Sequence, residues 1–242
     1  FLTPSVRELA RRRWRYYLAF LVIWGGFVGW HLTRAIAVDK NIGFGMEAVG
    51  PKQYALTECG VLLYYLRLCV WPVGQSIDYQ GWPWCRTIGD AMPELVIVAG
   101  LLLATALMLW KRPAIGFVMA WFFLILIPTS SFLPIVDPVF EHRLYLSLAS
   151  VSVGVVWLAE KLMRRHPRIK VTTLCLIAAA LMALTLRRNE DYRSVVAIWK
   201  SALEVRPDNP RAAFNMAHGL MLENRPEEAL NMLLELKNRL PH

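Results

Sequence analysis

Cysteine is scarce, and Cys59, Cys69, Cys85 and Cys175 include no CxxC pair, so no thiolate metal site has its usual spacing. Cys85 pairs with Cys59 or Cys69 if that region faces an oxidising space; otherwise the four are apolar filling. The sequence also lacks a phosphate-cradling glycine loop, a zinc motif and a nucleophile elbow. Acidic residues are in the minority, 18 against 27 Lys and Arg, for a net charge of +9. That excess does not point to nucleic acid, because the basic residues form short clusters beside apolar runs and are not spread over one face. No signal peptide can be assigned. The chain opens on Phe1 and enters an apolar run within about twenty residues, which reads as the C-terminal part of something longer.

Apolar residues are plentiful, 56% of 242 residues with ten tryptophans, an excess that points to an integral membrane protein. Four stretches have the length and composition of spans: about Tyr17 to Ala37, Glu94 to Trp110, Ala114 to Phe132 and Leu144 to Ala159. A fifth runs from Val171 to Leu186. A sixth candidate, Tyr54 to Trp71, is interrupted by Glu58 and Arg67. The cationic clusters decide its role: Arg7 to Arg15, Lys111 with Arg112, and Lys161 to Lys170 all belong in the cytoplasm under the positive-inside tendency. That holds only if the sixth stretch does not cross, so residues 53–71 are expected as an interfacial or re-entrant helix. Residues 38–92, the loop from Pro134 to Arg143 and everything after Leu186 then share the extracytoplasmic surface.

After Arg187 the composition becomes that of soluble helices. Pro207 and Pro241 lie 34 residues apart, the tetratricopeptide period. With Pro210 as the first position, Ala217, Ala229, Leu233 and Pro241 fall at the eighth, twentieth, twenty-fourth and thirty-second positions, and Trp199, Ala202 and Pro207 fit the preceding half repeat. Asn224 stands where glycine is usual and Leu220 where tyrosine is usual. The expected class is therefore all-α: a polytopic transmembrane bundle over 1–187, with about five spans and one interfacial helix, followed by about one and a half repeats over 188–242.

Polar residues that can carry chemistry concentrate in two places. In IPTSSFLPIVDPVFEHRLYL, Ile127 to Leu146, the consecutive Glu141, His142 and Arg143 stand at a span end and need partners. Arginine offers a fork of donors suited to the phosphate of a lipid-linked substrate, with Glu141 orienting it; the alternative is that Arg143 snorkels and pairs with Glu141 or Asp137 to finish a helix. In WPVGQSIDYQGWPW, Trp71 to Trp84, Asp78 and Tyr79 lie among tryptophans and prolines that either stack on a sugar or anchor the interface. No second carboxylate stands at a fixed spacing from Asp78, so this stretch does not define an acid and base pair. His31 and Arg34, near the outer end of the first span, face a polar cavity or the membrane surface.

The order of these parts resembles the transmembrane and tetratricopeptide-repeat O-mannosyltransferases and their bacterial relatives. The residues that carry it are PTSSFLPIVDPVFEHRLYL, the WPVGQSIDY segment and the repeat directly after the last span, together covering nearly the whole chain. Glu141, Arg143, Leu144 and Tyr145 match the family motif, with His142 inserted as bacterial members often have it. The resemblance implies the C-terminal half of a GT-C architecture in a bacterial inner membrane. Such an enzyme passes a sugar, mannose in the relatives, from a polyprenyl phosphate donor to a protein acceptor outside the cytoplasm. It assigns Arg143, His142, Glu141 and Tyr145 to the donor phosphate, Asp78, Tyr79 and Arg34 to the sugar or acceptor site, and the repeats to the acceptor. The implied partners are membrane lipid, the lipid-linked sugar and a protein, not nucleic acid. A divalent metal is left open. The family's catalytic carboxylate lies in an earlier loop, so no base is named. A membrane-anchored repeat scaffold without enzymatic activity is the rival class.

Overall fold

The computed structural model describes residues 13–16, 18–27, 29–30, 49–131 and 134–239. All regular structure among them is helical, with no β-strand. Helix α1 is seen at residues 13–16, 18–27 and 29–30, and the following helices are α2 (Pro51–Val70), α3 (Met92–Lys111), α4 (Pro113–Leu126), α5 (Leu144–Leu162), α6 (Pro167–Asp191), α7 (Val195–Val205), α8 (Pro210–Leu222) and α9 (Pro226–Arg239). A 3₁₀ turn, Glu141–Arg143, leads directly into α5. Proline stands in the first turn of α2, α3, α4, α6 and α8, where its missing N–H is not needed and its fixed φ suits the helix. Ser194 caps α7 and Asn209 caps α8, each accepting from the backbone N–H three residues on.

Among the described residues three helical segments are long and apolar enough to cross a membrane: Met92–Lys111, Glu141–Leu162 and Pro167–Asp191. Their apolar windows are almost wholly uncovered by protein, a surface suited to lipid and not to water. Helix α4 is shorter than the apolar run that encodes it. The run suggests a helix reaching Phe132, but α4 stops at Leu126, because Pro128 has no N–H with which to continue the ladder. Its 14 residues rise about 21 Å. Helix α6 extends past the expected boundary at residue 187, to Asp191.

Helices α3, α4, α5 and α6 alternate in direction. A single residue, Arg112, separates α3 from α4, and a Cβ on Gly116 would stand 2.2 Å from the backbone nitrogen of Leu109. At the other end Ser147 Oγ donates to the Phe122 carbonyl at 3.3 Å and Trp121 Nε1 to the Leu146 carbonyl at 3.3 Å, joining α5 to α4. Lys111, Arg112 and residues 161–170 therefore lie at one end of the bundle, and the loops 71–91 and 127–143 lie at the other.

Helix α2, which precedes all of these in the sequence, is not one of the three. It nevertheless forms the centre of the main core: Cys59, Val61, Leu62, Tyr65 and Leu68 pack with Tyr79, Val98, Phe122, Leu126, Val139 and Leu144. In the lipid-facing part of the bundle this core is held by close packing and not by transfer out of water. All four cysteines are free thiols.

The last three helices form antiparallel hairpins with their own small core of Ala217, Leu220 and Ala229. Ala202, Ala217 and Ala229, the small positions of the 34-residue period, are all buried. Asn224 takes φ +58°, the left-handed conformation that asparagine tolerates better than most residues in glycine's absence. We expect Gly116→Ala to lower stability by about 1–3 kcal/mol, the cost of forcing an atom into a packed contact, read as an earlier thermal unfolding midpoint in detergent. An unchanged midpoint would mean that α3 and α4 separate more than this.

Candidate functional site

Helix α2 organises the loop end of the bundle through its tyrosines. Tyr65, buried, donates its hydroxyl to the Phe140 carbonyl at 3.0 Å and accepts from the Phe140 amide at 2.9 Å. Both backbone groups of one extended residue are thereby held by one side chain, and the 3₁₀ turn begins at the next residue. Tyr54 donates to the Thr129 carbonyl at 2.7 Å, fixing the end of the α4 connection. Tyr64 donates to the Gly74 carbonyl at 2.9 Å and lies 3.0 Å from the Tyr79 hydroxyl. Gly74 has φ +76°, so the reversal of the chain after α2 is one that a side chain would strain.

The three ionisable residues of the turn diverge. Glu141 reaches the tryptophan-rich loop, where its Oε1 accepts from the Ser76 amide at 2.7 Å and from a short bond with the Tyr79 hydroxyl. Burial and this carboxylate push the Tyr79 phenol above its ordinary pKa, so it remains a donor. Arg143 turns back on its own loop, donating to the Pro138 carbonyl at 2.9 Å and the Asp137 carbonyl at 3.3 Å, with the guanidinium carbon 4.8 Å from the Phe140 ring centroid. His142 is exposed, 5.1 Å from the same ring. Tyr145, at the start of α5, is 85% exposed.

Asp78 and Tyr79 are both buried. Asp78 Oδ1 accepts from the Gln80 amide at 2.9 Å and from Arg211 at 3.2 Å, while its Oδ2 has no partner among the described residues. The structure thus brings Glu141 and Tyr79 together directly and places Arg143 beside them on the same loop end. Arg34 and His31 lie outside the described residues. Glu141 is held by Ser76 and Tyr79 and not by Arg143, and Arg143 meets the backbone carbonyl of Asp137 and not its carboxylate. Among the described residues no three His, Cys, Asp or Glu side chains gather as a metal-binding set.

A group that sequence reasoning passed over is Glu58. In the sequence it only interrupts an apolar run; in the fold it is 1% exposed, and neither carboxylate oxygen has a hydrogen-bond partner among the described residues. The Ser130 hydroxyl is likewise buried and unpartnered. Burial pushes the Glu58 carboxyl from 4.5 up to about 7, with the hydroxyls of Ser130 and Tyr54 and the charge of Arg143 pulling the other way. The signal was legible, since an ionisable residue inside an apolar helix is a functional-site candidate by default. Tyr65, Ser76 and Arg211 carried no such signal, because their roles arise only when distant segments meet.

No known family profile matches the chain, and no solved structure matches it. A sequence likeness exists to the protein O-mannosyl-transferase Tmtc2 of Drosophila melanogaster, 34% identical over 131 residues. The match takes in 52% of this chain and 14% of that protein's length.

The pKa of Glu58 sets a sign for pH dependence. The folded protein holds the proton more tightly than the unfolded chain, so the stability linked to this group is full below pH 4.5, falls as pH rises toward 7 and is constant above it. We expect wild type to lose about 2–3 kcal/mol more than Glu58→Gln between pH 5 and pH 8, on the scale of about 1.4 kcal/mol per pKa unit. Parallel melting curves for the two proteins across that range would show that Glu58 does not titrate as described.

Proposed function

We propose that this chain is the site-bearing part of a membrane glycosyltransferase. In this reading it transfers a mannose-like sugar from a polyprenyl phosphate to a hydroxyl of a protein acceptor on the extracytoplasmic side, with the inner membrane of a bacterium as the setting favoured by His142. The observation that carries the reading is the convergence of three segments at one end of an apolar bundle: the tryptophan-rich loop, the Glu141–Arg143 turn and the helical hairpins. The likeness to a protein O-mannosyl-transferase supports it.

The chemistry has simple requirements. The bond between sugar C1 and phosphate oxygen breaks, the acceptor oxygen bonds to C1, and its proton leaves to a base. Charge accumulates on the departing lipid phosphate, at the bilayer edge, where a cation is worth most. Arg143 is that cation in our reading. Its guanidinium is held on loop carbonyls and the Phe140 ring, and a fork of donors fits phosphate oxygens. Tyr145 and His142 present their side chains outward next to it. Glu141, fixed by Ser76 and Tyr79, orients the turn. Asp78 and Tyr79 form the wall behind the sugar or acceptor site. No residue of this chain is assigned as the base.

Lys111, Arg112 and the cluster from Lys161 to Lys170 occupy the opposite end and face the cytoplasm in this arrangement. Helix α2 then lies on the outer side without crossing. The repeats bind or present the acceptor.

The scaffold reading has one specific observation in its favour: both Nη atoms of Arg143 already have protein acceptors, which a purely structural arginine would also show. Two experiments decide. In the complete protein, Arg143→Ala is expected to slow transfer from the lipid donor by about 10²-fold, the common effect of losing one preorganised donor; transfer at the wild-type rate with folding intact would remove the donor-site assignment. Cysteines introduced at Asp137 and Asn215 are expected to react with an impermeant reagent in intact cells, and one at Arg165 not to. Labelling at Arg165 would invert the topology.

A further inference from the structure

Helix α8 meets the membrane part through its first turn. Asn209 is fully buried, caps α8 with Oδ1, and donates Nδ2 to the Asp78 carbonyl at 3.4 Å. Two residues on, the Arg211 amide donates to Gln80 Oε1 at 3.1 Å. The Arg211 guanidinium then bridges two carboxylates from different loops. Nη1 donates to Asp78 Oδ1 at 3.2 Å and to Asp137 Oδ2 at 3.1 Å, and Nη2 donates to Asp137 Oδ1 at 3.2 Å. Arg206, on the same side, lies 4.5 Å from the Trp82 ring centroid.

The burial is uneven in an informative way. Arg211 keeps 38% of its side chain exposed, while Asp78 keeps 5% and Asp137 17%. The cation arrives from the solvent side to neutralise two anions already set into the loops. Without it those carboxylates stand close together, one of them almost completely desolvated, an arrangement that like charges oppose.

Both carboxylates belong to residues one step from the donor-site turn. The backbone carbonyl of Asp137, whose side chain Arg211 grips, accepts from Arg143. The backbone carbonyl of Asp78 accepts from Ser76 Oγ, and the Ser76 amide together with Tyr79 holds Glu141. A displacement of either loop by the loss of Arg211 is therefore passed to Glu141 or Arg143 through one or two hydrogen bonds.

We infer that Arg211 is a positioning residue for the donor site: the first turn of the second repeat helix holds the two loops in register, so the placement of Glu141 and Arg143 depends on the repeats being docked. This rests on the assignment of Arg143 to the donor phosphate. Lysine cannot reproduce the contact, because a single ammonium lacks the planar fork that spans both Asp137 oxygens while reaching Asp78.

The test uses the complete protein in liposomes, with a polyprenyl phosphate mannose as donor and a serine- and threonine-rich peptide as acceptor. Arg211→Ala, Arg211→Lys and Asp137→Asn are compared with wild type by hydrogen–deuterium exchange and by transfer kinetics. Exchange over residues 134–143 is expected to speed up in Arg211→Ala and Asp137→Asn and to be intermediate in Arg211→Lys, while exchange over 113–126 stays as in wild type. The value of kcat/KM for the donor is expected to fall about tenfold or more, as misplacing a catalytic group commonly costs, with the acceptor KM unchanged. Unaltered exchange over 134–143 in both Arg211→Ala and Asp137→Asn overturns the inference. So does faster exchange with unchanged donor kinetics, or a change confined to the acceptor KM, which would mean that Arg211 only attaches the repeats. A variant whose exchange also rises over 113–126 has lost its fold and is set aside for the other two. Wild-type protein that transfers nothing removes the enzymatic reading alone, and the exchange comparison then still decides whether Arg211 sets the loop.

Discussion

The grip of Tyr65 on the backbone of Phe140 is the contact from which the loop end of the molecule is built. A hydroxyl that both donates to and accepts from one residue leaves that residue little rotational freedom, and Phe140 is the last extended position before the Glu141–Arg143 turn. Tyr65 can act this way because α2 is the most deeply packed helix of the bundle. The order of dependence runs from apolar burial of α2, to a fixed tyrosine, to a fixed strand of loop, to the directions in which Glu141 and Arg143 leave the chain.

Such a helix has to carry polar groups into a region that excludes water, and the fold treats them in two ways. Tyrosine hydroxyls and Thr57 find backbone partners, so the desolvation of those groups is offset. Glu58 finds none, and meets the problem by holding a proton through much of the neutral range. A buried carboxyl without a hydrogen-bond partner is costly where a leucine would pack well.

Much of the architecture was legible in the sequence. The apolar runs marked α3, α5 and α6 because lipid tolerates little else of that composition and length, and Glu58 with Arg67 set α2 apart from them. Pro128 cut α4 short by a rule that a hydropathy window does not contain. The 34-residue spacing found the small residues buried where the last three helices close on one another, and Asn224, standing where glycine is usual, takes a left-handed conformation. The site was less legible. Glu141, Arg143, Asp78 and Tyr79 were visible as polar residues in apolar surroundings, but their partners were not. Pairing within the turn is what local spacing suggests; the observed partners of Glu141 lie more than sixty positions away, and the arginine that joins Asp78 to Asp137 comes from a segment whose own pattern speaks only of soluble helices. Side-chain identity announces that a partner is needed, and only the meeting of distant segments decides which one answers.

The near absence of a connection between α3 and α4 has a mechanical consequence. With one residue at the bend and backbone pressed on backbone at Gly116, neither helix can slide along the other or rotate about its own axis. The pair is a stiff beam running from the basic end of the bundle to the loops. Any rearrangement of the bundle must then take place around this beam, in the loops or in the sparsely packed α6, and the beam itself serves as the fixed frame against which those parts move.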